Sequence, residues 1–155
     1  MSRQIVGKLL VTLLLLLPAG LIAGEARILK VLPYLLDSKG RHALQPSLYE
    51  RDAYQANLRT HPELIHGQRY DVQWCSRTGV KVGLSLRLEL RSGSGNSVGK
   101  SLVLEAPVKP GWFARGWARF TLTAEQFKEL GQVTAWRTTL RHGDSEVAEE
   151  KSFLW

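Results

Sequence analysis

A single cysteine, Cys75, is all that 155 residues provide. No internal disulfide can form, so the fold must be held by its core. Acidic side chains are also in short supply, with 14 Asp and Glu against 21 Lys and Arg, a formal net charge of +7. Several kinds of catalytic spelling are missing as well. There is no nucleophile elbow, no phosphate-cradling glycine loop opening a helix, and no HExxH zinc motif. The glycines of Ser92 to Gly99 (SGSGNSVG) link two extended segments and read as a loop.

Long apolar runs are missing too, except at the start. Arg3 and Lys8 precede Leu9 to Ile22, a Leu-rich stretch broken by Pro18 and Gly20, and Gly24-Glu25-Ala26 sets small residues where a signal peptidase cuts. Residues 1–26 therefore read as a secretory signal peptide, with a cut after Ala26 or after Gly24. The alternative is an uncleaved inner-membrane anchor over residues 5–24, the only insertion into a membrane this reading allows. Either way residues 27–155 are expected to be an exported domain, periplasmic or extracellular. Without Arg3, Lys8 and Glu25 the charge is 19 basic against 13 acidic groups. Nucleic acid is set aside as a partner for an exported chain. The charges are spread along the chain and read first as a solvated, soluble surface; as an electrostatic partner, polyanionic envelope material or a membrane surface remains.

What is present is alternation. Every even position from Val80 to Leu90 is aliphatic, and the odd positions carry Lys81, Gly83, Ser85, Arg87 and Glu89. That period of two makes a strand with one dry face, which needs a second apolar layer over it. Around it, 27–37 reads as an edge strand kinked or bulged at Pro33. Residues 68–77 read as a strand with Tyr70, Val72 and Trp74 inward and Cys75 on the opposite face. Short strands follow at 102–106, 117–122 and 133–141, and a Gly143-Asp144 hairpin turn leads into the last one, 147–155. In that hairpin Leu140 is expected to oppose Val147, with Trp136 and Phe153 meeting in the core.

Two capping boxes, Ser47-Leu-Tyr-Glu50 and Thr123-Ala-Glu-Gln126, open helices. The first predicts a helix from Leu48 to Thr60 with Leu48, Ala53, Ala56, Tyr54 and Leu58 inward and Arg51, Asp52, Gln55, Asn57 and Arg59 outward. The second buries Phe127 and Leu130 and stops at Gly131.

The fold expected is mainly β: one antiparallel β-sandwich of about seven strands with an inserted helix near 48–60. The strand rhythm of Phe127 to Leu154 resembles the end of immunoglobulin-like and fibronectin type III domains, without the inter-sheet cysteine pair of antibody domains. Residues 46–59 (PSLYERDAYQANLR) and 151–155 (KSFLW) also resemble small exported bacterial proteins of uncharacterised function. No activity, cofactor or site follows from either resemblance. A small outer-membrane barrel ending on Phe153-Leu154-Trp155 is the competing architecture, disfavoured by the helix and the short strands.

His42, His61, His66 and His142 all fall in turns without ligand-pair spacing, so no metal is expected. The carboxylate pairs Glu50/Asp52 and Glu149/Glu150 lack the facing geometry of acid–base catalysis. A non-enzyme without cofactors is the reading, a structural or protein-interaction module of the cell envelope. The alternative is a carbohydrate- or polyanion-binding module on the segment 109–120. There Trp112, Phe113 and Trp117 interleave with Arg115 and Arg119, and flat rings beside guanidiniums stack on sugars and hold anions. Tryptophans buried over a sheet corner favour the first reading; exposed ones favour the second.

Overall fold

The structure, a computed structural model, describes residues 26–76, 83–93, 99–111 and 114–155. The signal segment 1–25, the start of the central alternation at Val80 to Val82, and Trp112 and Phe113 lie outside the described residues. Seven strands run in the order β1 (Ala26–Leu36), β2 (Gly67–Ser76), β3 (Leu84–Ser92), β4 (Ser101–Val108), β5 (Arg115–Thr121), β6 (Val133–His142) and β7 (Ser145–Lys151). Two α-helices interrupt them, α1 (Leu48–Thr60) and α2 (Ala124–Leu130). Among the described residues the strands form two antiparallel open sheets and no closed barrel. One is ordered β1-β2-β5 and the other β4-β3-β6-β7.

The alternation at 84–90 does what its period demands. Leu84, Leu86, Leu88 and Leu90 are buried, while Ser85, Arg87 and Glu89 stay partly open. β3 lies between β4 and β6, so its leucines sit mid-sheet and face Tyr70, Val72, Trp74 and Phe120 of the other sheet in one core. Each contributes about 1.5–3 kcal/mol of burial before chain entropy is charged against it. Cys75 is buried on the reverse side of β2.

Both helices start and stop as the sequence predicts, but their caps differ. Thr123 and Gln126 form the reciprocal box, with the Gln126 N–H donating to Thr123 Oγ1 at 3.2 Å and the Thr123 N–H to Gln126 Oε1 at 2.9 Å. Gly131 ends α2 at φ +78, a conformation glycine adopts without a Cβ clash. Ser47 spells the same box and makes no side-chain cap bond. Glu50 is exposed at that helix start, where water can serve the first-turn amides.

The inward face of α1 also departs from the apolar stripe. Leu48, Ala53 and Ala56 are exposed, whereas Gln55 and Leu58 are buried and Arg51 and Tyr54 are half-buried. Position 55 is turned inward by an edge strand in need of partners. Gln55 Oε1 accepts the Leu35 N–H at 2.9 Å, and Nε2 donates to the carbonyls of Leu35 and His42, both at 2.9 Å. One carboxamide thus replaces a neighbouring strand on the free edge of β1. Pro33, two residues along that edge, has no N–H to offer. Its register against Tyr70 is unbroken, and the irregularity of β1 falls between Ile28 and Lys30 instead.

The last hairpin departs from expectation by one residue. A bulge between Leu140 and Arg141 sets Leu140 opposite Ala148, so Val147 is exposed. Trp136 does pack against the core, but Phe153 is fully exposed and never reaches it. Beyond β7 the chain turns back through the Ser152 N–H to the Trp136 carbonyl at 2.9 Å, and Trp155 lies under Arg91, whose Cζ is 3.7 Å from a Trp155 ring centroid. A two-residue hairpin turn fixes register only while the ladder stays regular.

Candidate functional site

β5 is an edge strand whose inward residues are Gly116, Ala118 and Phe120. Arg115, Trp117 and Arg119 therefore project from the outer face of the three-stranded sheet, spaced about 7 Å apart. Trp117 is 55 % exposed. The Gly111 N–H donates to the Arg115 carbonyl at 2.8 Å at the start of β5.

Pairing fixes what lies beside these side chains. Across β2 stand Cys75 opposite Arg115, Gln73 opposite Trp117 and Asp71 opposite Arg119, with Arg69 next in line. Across β1, Arg27 faces Cys75, Lys30 faces Gln73, Leu32 faces Asp71 and Tyr34 faces Arg69. The strands thus set five cations (Arg27, Lys30, Arg69, Arg115, Arg119) and one carboxylate, Asp71, on this outer face among the described residues, while Arg51, at the α1 end of the face, is paired with Asp52 at 2.8 Å.

The opposite outer face is balanced. Arg87, Arg91, Arg137, Arg141 and Lys151 alternate with Glu89, Glu105, Glu146 and Glu149. Most of these groups neutralise one another, Arg137 to Glu149 at 2.8 Å, Arg87 to Glu89 at 3.1 Å and Lys151 to Glu149 at 3.7 Å. The charge excess of the strands thus lies on one side of the molecule.

At the α1 end of the basic face the groups converge. The Arg69 and Arg51 guanidiniums flank the Tyr34 ring, their Cζ atoms 5.2 and 5.5 Å from its centroid. Arg51 also donates to the Tyr34 hydroxyl at 3.3 Å, and the His42 ring lies 5.0 Å from the Tyr34 ring at 56°. Burial, then the positive field of Arg69, hold the His42 imidazole below its ordinary pKa; Asp71 partly offsets this, and Arg119 and Arg51 add to it.

The loop bearing His42 is tied down by Asp37. Its carboxylate accepts from the N–H groups of Lys39 and Arg41 at 2.9 and 2.8 Å, from Arg41 Nε at 2.8 Å and from the Tyr54 hydroxyl at 2.7 Å. Burial opposes ionisation there, but the Arg41 N–H, the Tyr54 hydroxyl, the Arg41 guanidinium and the Lys39 N–H outweigh it and bring Asp37 down to about 2.

The structure thus brings Arg115, Trp117 and Arg119 together on one face and adds Tyr34, His42, Arg51, Arg69 and Asp71, which the sequence does not single out. The odd positions of 68–77 mark Arg69 and Asp71 as outward, but nothing local says that β2 pairs with β5. The other histidines stand apart, and among the described residues no group of three or more His, Cys, Asp or Glu is placed to hold a metal ion. Among those residues no helix is long and apolar enough to cross a membrane. No protein-family model, curated protein or solved structure matches the chain.

Proposed function

We propose that this chain is an exported, non-catalytic module that holds an anionic polysaccharide on the outer face of its β1-β2-β5 sheet. The observation carrying this is the one-sided charge of the strands: five cations against one carboxylate there, with a self-neutralised face opposite. An exposed Trp117 ring set between Arg115 and Arg119 adds a flat apolar platform, which suits a sugar ring and has no evident use for a lipid headgroup. Burial of the tryptophans is what a structural or protein-interaction module would need, and Trp117 is open. The signal grammar of residues 1–26 supports export and an envelope or extracellular ligand.

We further propose that the two sheets form an immunoglobulin-like or fibronectin type III sandwich. In an immunoglobulin constant-type sandwich the first, second, fourth and fifth strands share one sheet, and the third, sixth and seventh the other. Here strands 1, 2 and 5 share a sheet, and strand 4 has crossed to pair with strand 3. That order supports an immunoglobulin-like or fibronectin-type sandwich carrying α1 as an insertion.

The test uses protein purified from a secreting host and immobilised polygalacturonate, dextran sulfate, plain dextran and phosphatidylglycerol vesicles. Retention on one or both charged polysaccharides, falling with salt, is expected. Trp117→Ala and Arg119→Gln should each weaken it about threefold to tenfold, and only the arginine change should flatten the salt dependence. Binding to vesicles alone, or to no polyanion at low salt, would overturn the reading.

A further inference from the structure

Asp71 is the exception on the basic face, and its geometry is not that of a solubilising acid. Its side chain is only 17 % exposed, and its two oxygens go to two different guanidiniums. Oδ2 accepts from Arg69 Nη2 at 3.0 Å, and Oδ1 accepts from Arg119 Nε at 3.2 Å. One arginine lies two residues back on the same strand; the other comes from the paired strand directly opposite. A carboxylate held between two guanidiniums makes the same contacts as a sugar carboxylate or sulfate held there. Donors still exceed acceptors, because Arg69 Nε is buried with no hydrogen-bond acceptor among the described residues. Arg119 is 65 % exposed, so one jaw of the clamp opens to solvent while Arg69, at 12 %, is fixed.

Resting on the polysaccharide reading above, we infer that Asp71 is an internal stand-in for the ligand's anionic group, occupying the Arg69–Arg119 clamp until a carboxylate or sulfate displaces it. The clamp is preorganised by its own carboxylate, and a ligand must outcompete it. A single small anion gains little by that exchange. A polymer that also covers Arg115, Trp117 and Lys30 gains enough, so Asp71 selects for repeated negative charge. His42, under the influence of Arg69, Asp71, Arg119 and Arg51 together, reports the state of the clamp. Removing the Asp71 charge should lower the His42 pKa further, whereas a bound polyanion should raise it.

Asp71→Asn should bind more tightly than the parent. Equilibrium binding of polygalacturonate and dextran sulfate at fixed salt, with plain dextran as control, should show a threefold to tenfold gain. The two charged polymers distinguish a carboxylate from a sulfate ligand. The gain should vanish in Asp71→Asn/Arg119→Gln, since the clamp then has one jaw. NMR titration of His42 should show the two opposite pKa displacements; a polyanion bound away from the Arg69–Arg119 clamp would leave the imidazole unmoved. Asp71→Ser, which removes the charge with a smaller side chain, serves if the Asn variant does not fold. Equal or weaker binding by the uncharged variants, in a protein whose parent does bind, overturns the stand-in and leaves the face intact. Absence of binding by parent and variants alike overturns both.

Discussion

Leu86→Ala or Leu88→Ala is expected to cost about 2–5 kcal/mol, and Arg87→Ala between them less than about 1. Both leucines are fully buried on an inner strand of their sheet, Leu86 between Ala106 and Leu140 and Leu88 between Leu104 and Thr138. With strands on either side and the other sheet above, the backbone has little room to collapse into the space left, so a cavity term adds to the lost burial. Arg87 stands on the outer face, 35 % exposed, in an ion pair with Glu89 at 3.1 Å. Such pairs contribute about 0–1 kcal/mol. Urea titration of the three variants decides the matter, and similar midpoint losses at all three positions would contradict a one-sided strand.

Gly116→Ala should also be damaging, by about 1–3 kcal/mol, though it adds only a methyl group to an edge strand. Gly116 lies directly opposite Trp74 in the β2–β5 pairing. A Cβ built there would stand 2.9 Å from both Cε2 and Cζ2 of the Trp74 ring and 3.0 Å from its Nε1. The ring covers the glycine, as aromatic side chains do where a strand lacks one. Trp74 is fully buried, so it cannot yield without pushing its core neighbours off their rotamers. The strain would then fall on β5, between Arg115 and Trp117. A falling denaturant midpoint together with weakened polyanion retention is the expected pair of results. An unchanged midpoint would mean that the ring has room to move.

How legible this was from sequence depends on the range of each interaction. The β3 alternation, the Thr123/Gln126 box and the Gly131 stop are written within a few residues, and all three hold. Ser47/Glu50 spells the same box, but a cap at an exposed helix start competes with water, and spelling alone does not decide that contest. Gln55 reads as an outward polar residue because its partners, Leu35 and His42, lie 20 and 13 residues away. The register of β7 escaped through one bulge, which moved Val147 out and left Phe153 in solvent. For the candidate site, Trp117 and Arg119 alternate with Ala118 and Phe120 on the expected strand 117–122, whereas Arg115 joins their row only because the strand starts two residues earlier. Asp71, Arg69, Tyr34 and His42 join them only through strand pairings that no local pattern encodes.

The two sheets also differ in how far the chain must travel to make them. The four-stranded sheet contains two sequence-local pairs, β3 with β4 and β6 with β7, the second closed by a two-residue turn. The three-stranded sheet contains none. Its middle strand must wait for β1, on the far side of α1, and for β5, with two other strands in between. Loop-closure entropy grows with the length of chain enclosed, so the local hairpins should form early and the β1-β2-β5 sheet late. Pulse-labelled amide exchange would read this as protection at Leu88 and Leu140 before Val72; the reverse order would refute it. The clamp of Arg69 and Arg119 spans the late β2–β5 pairing, so the basic face becomes competent only as the last ladder closes.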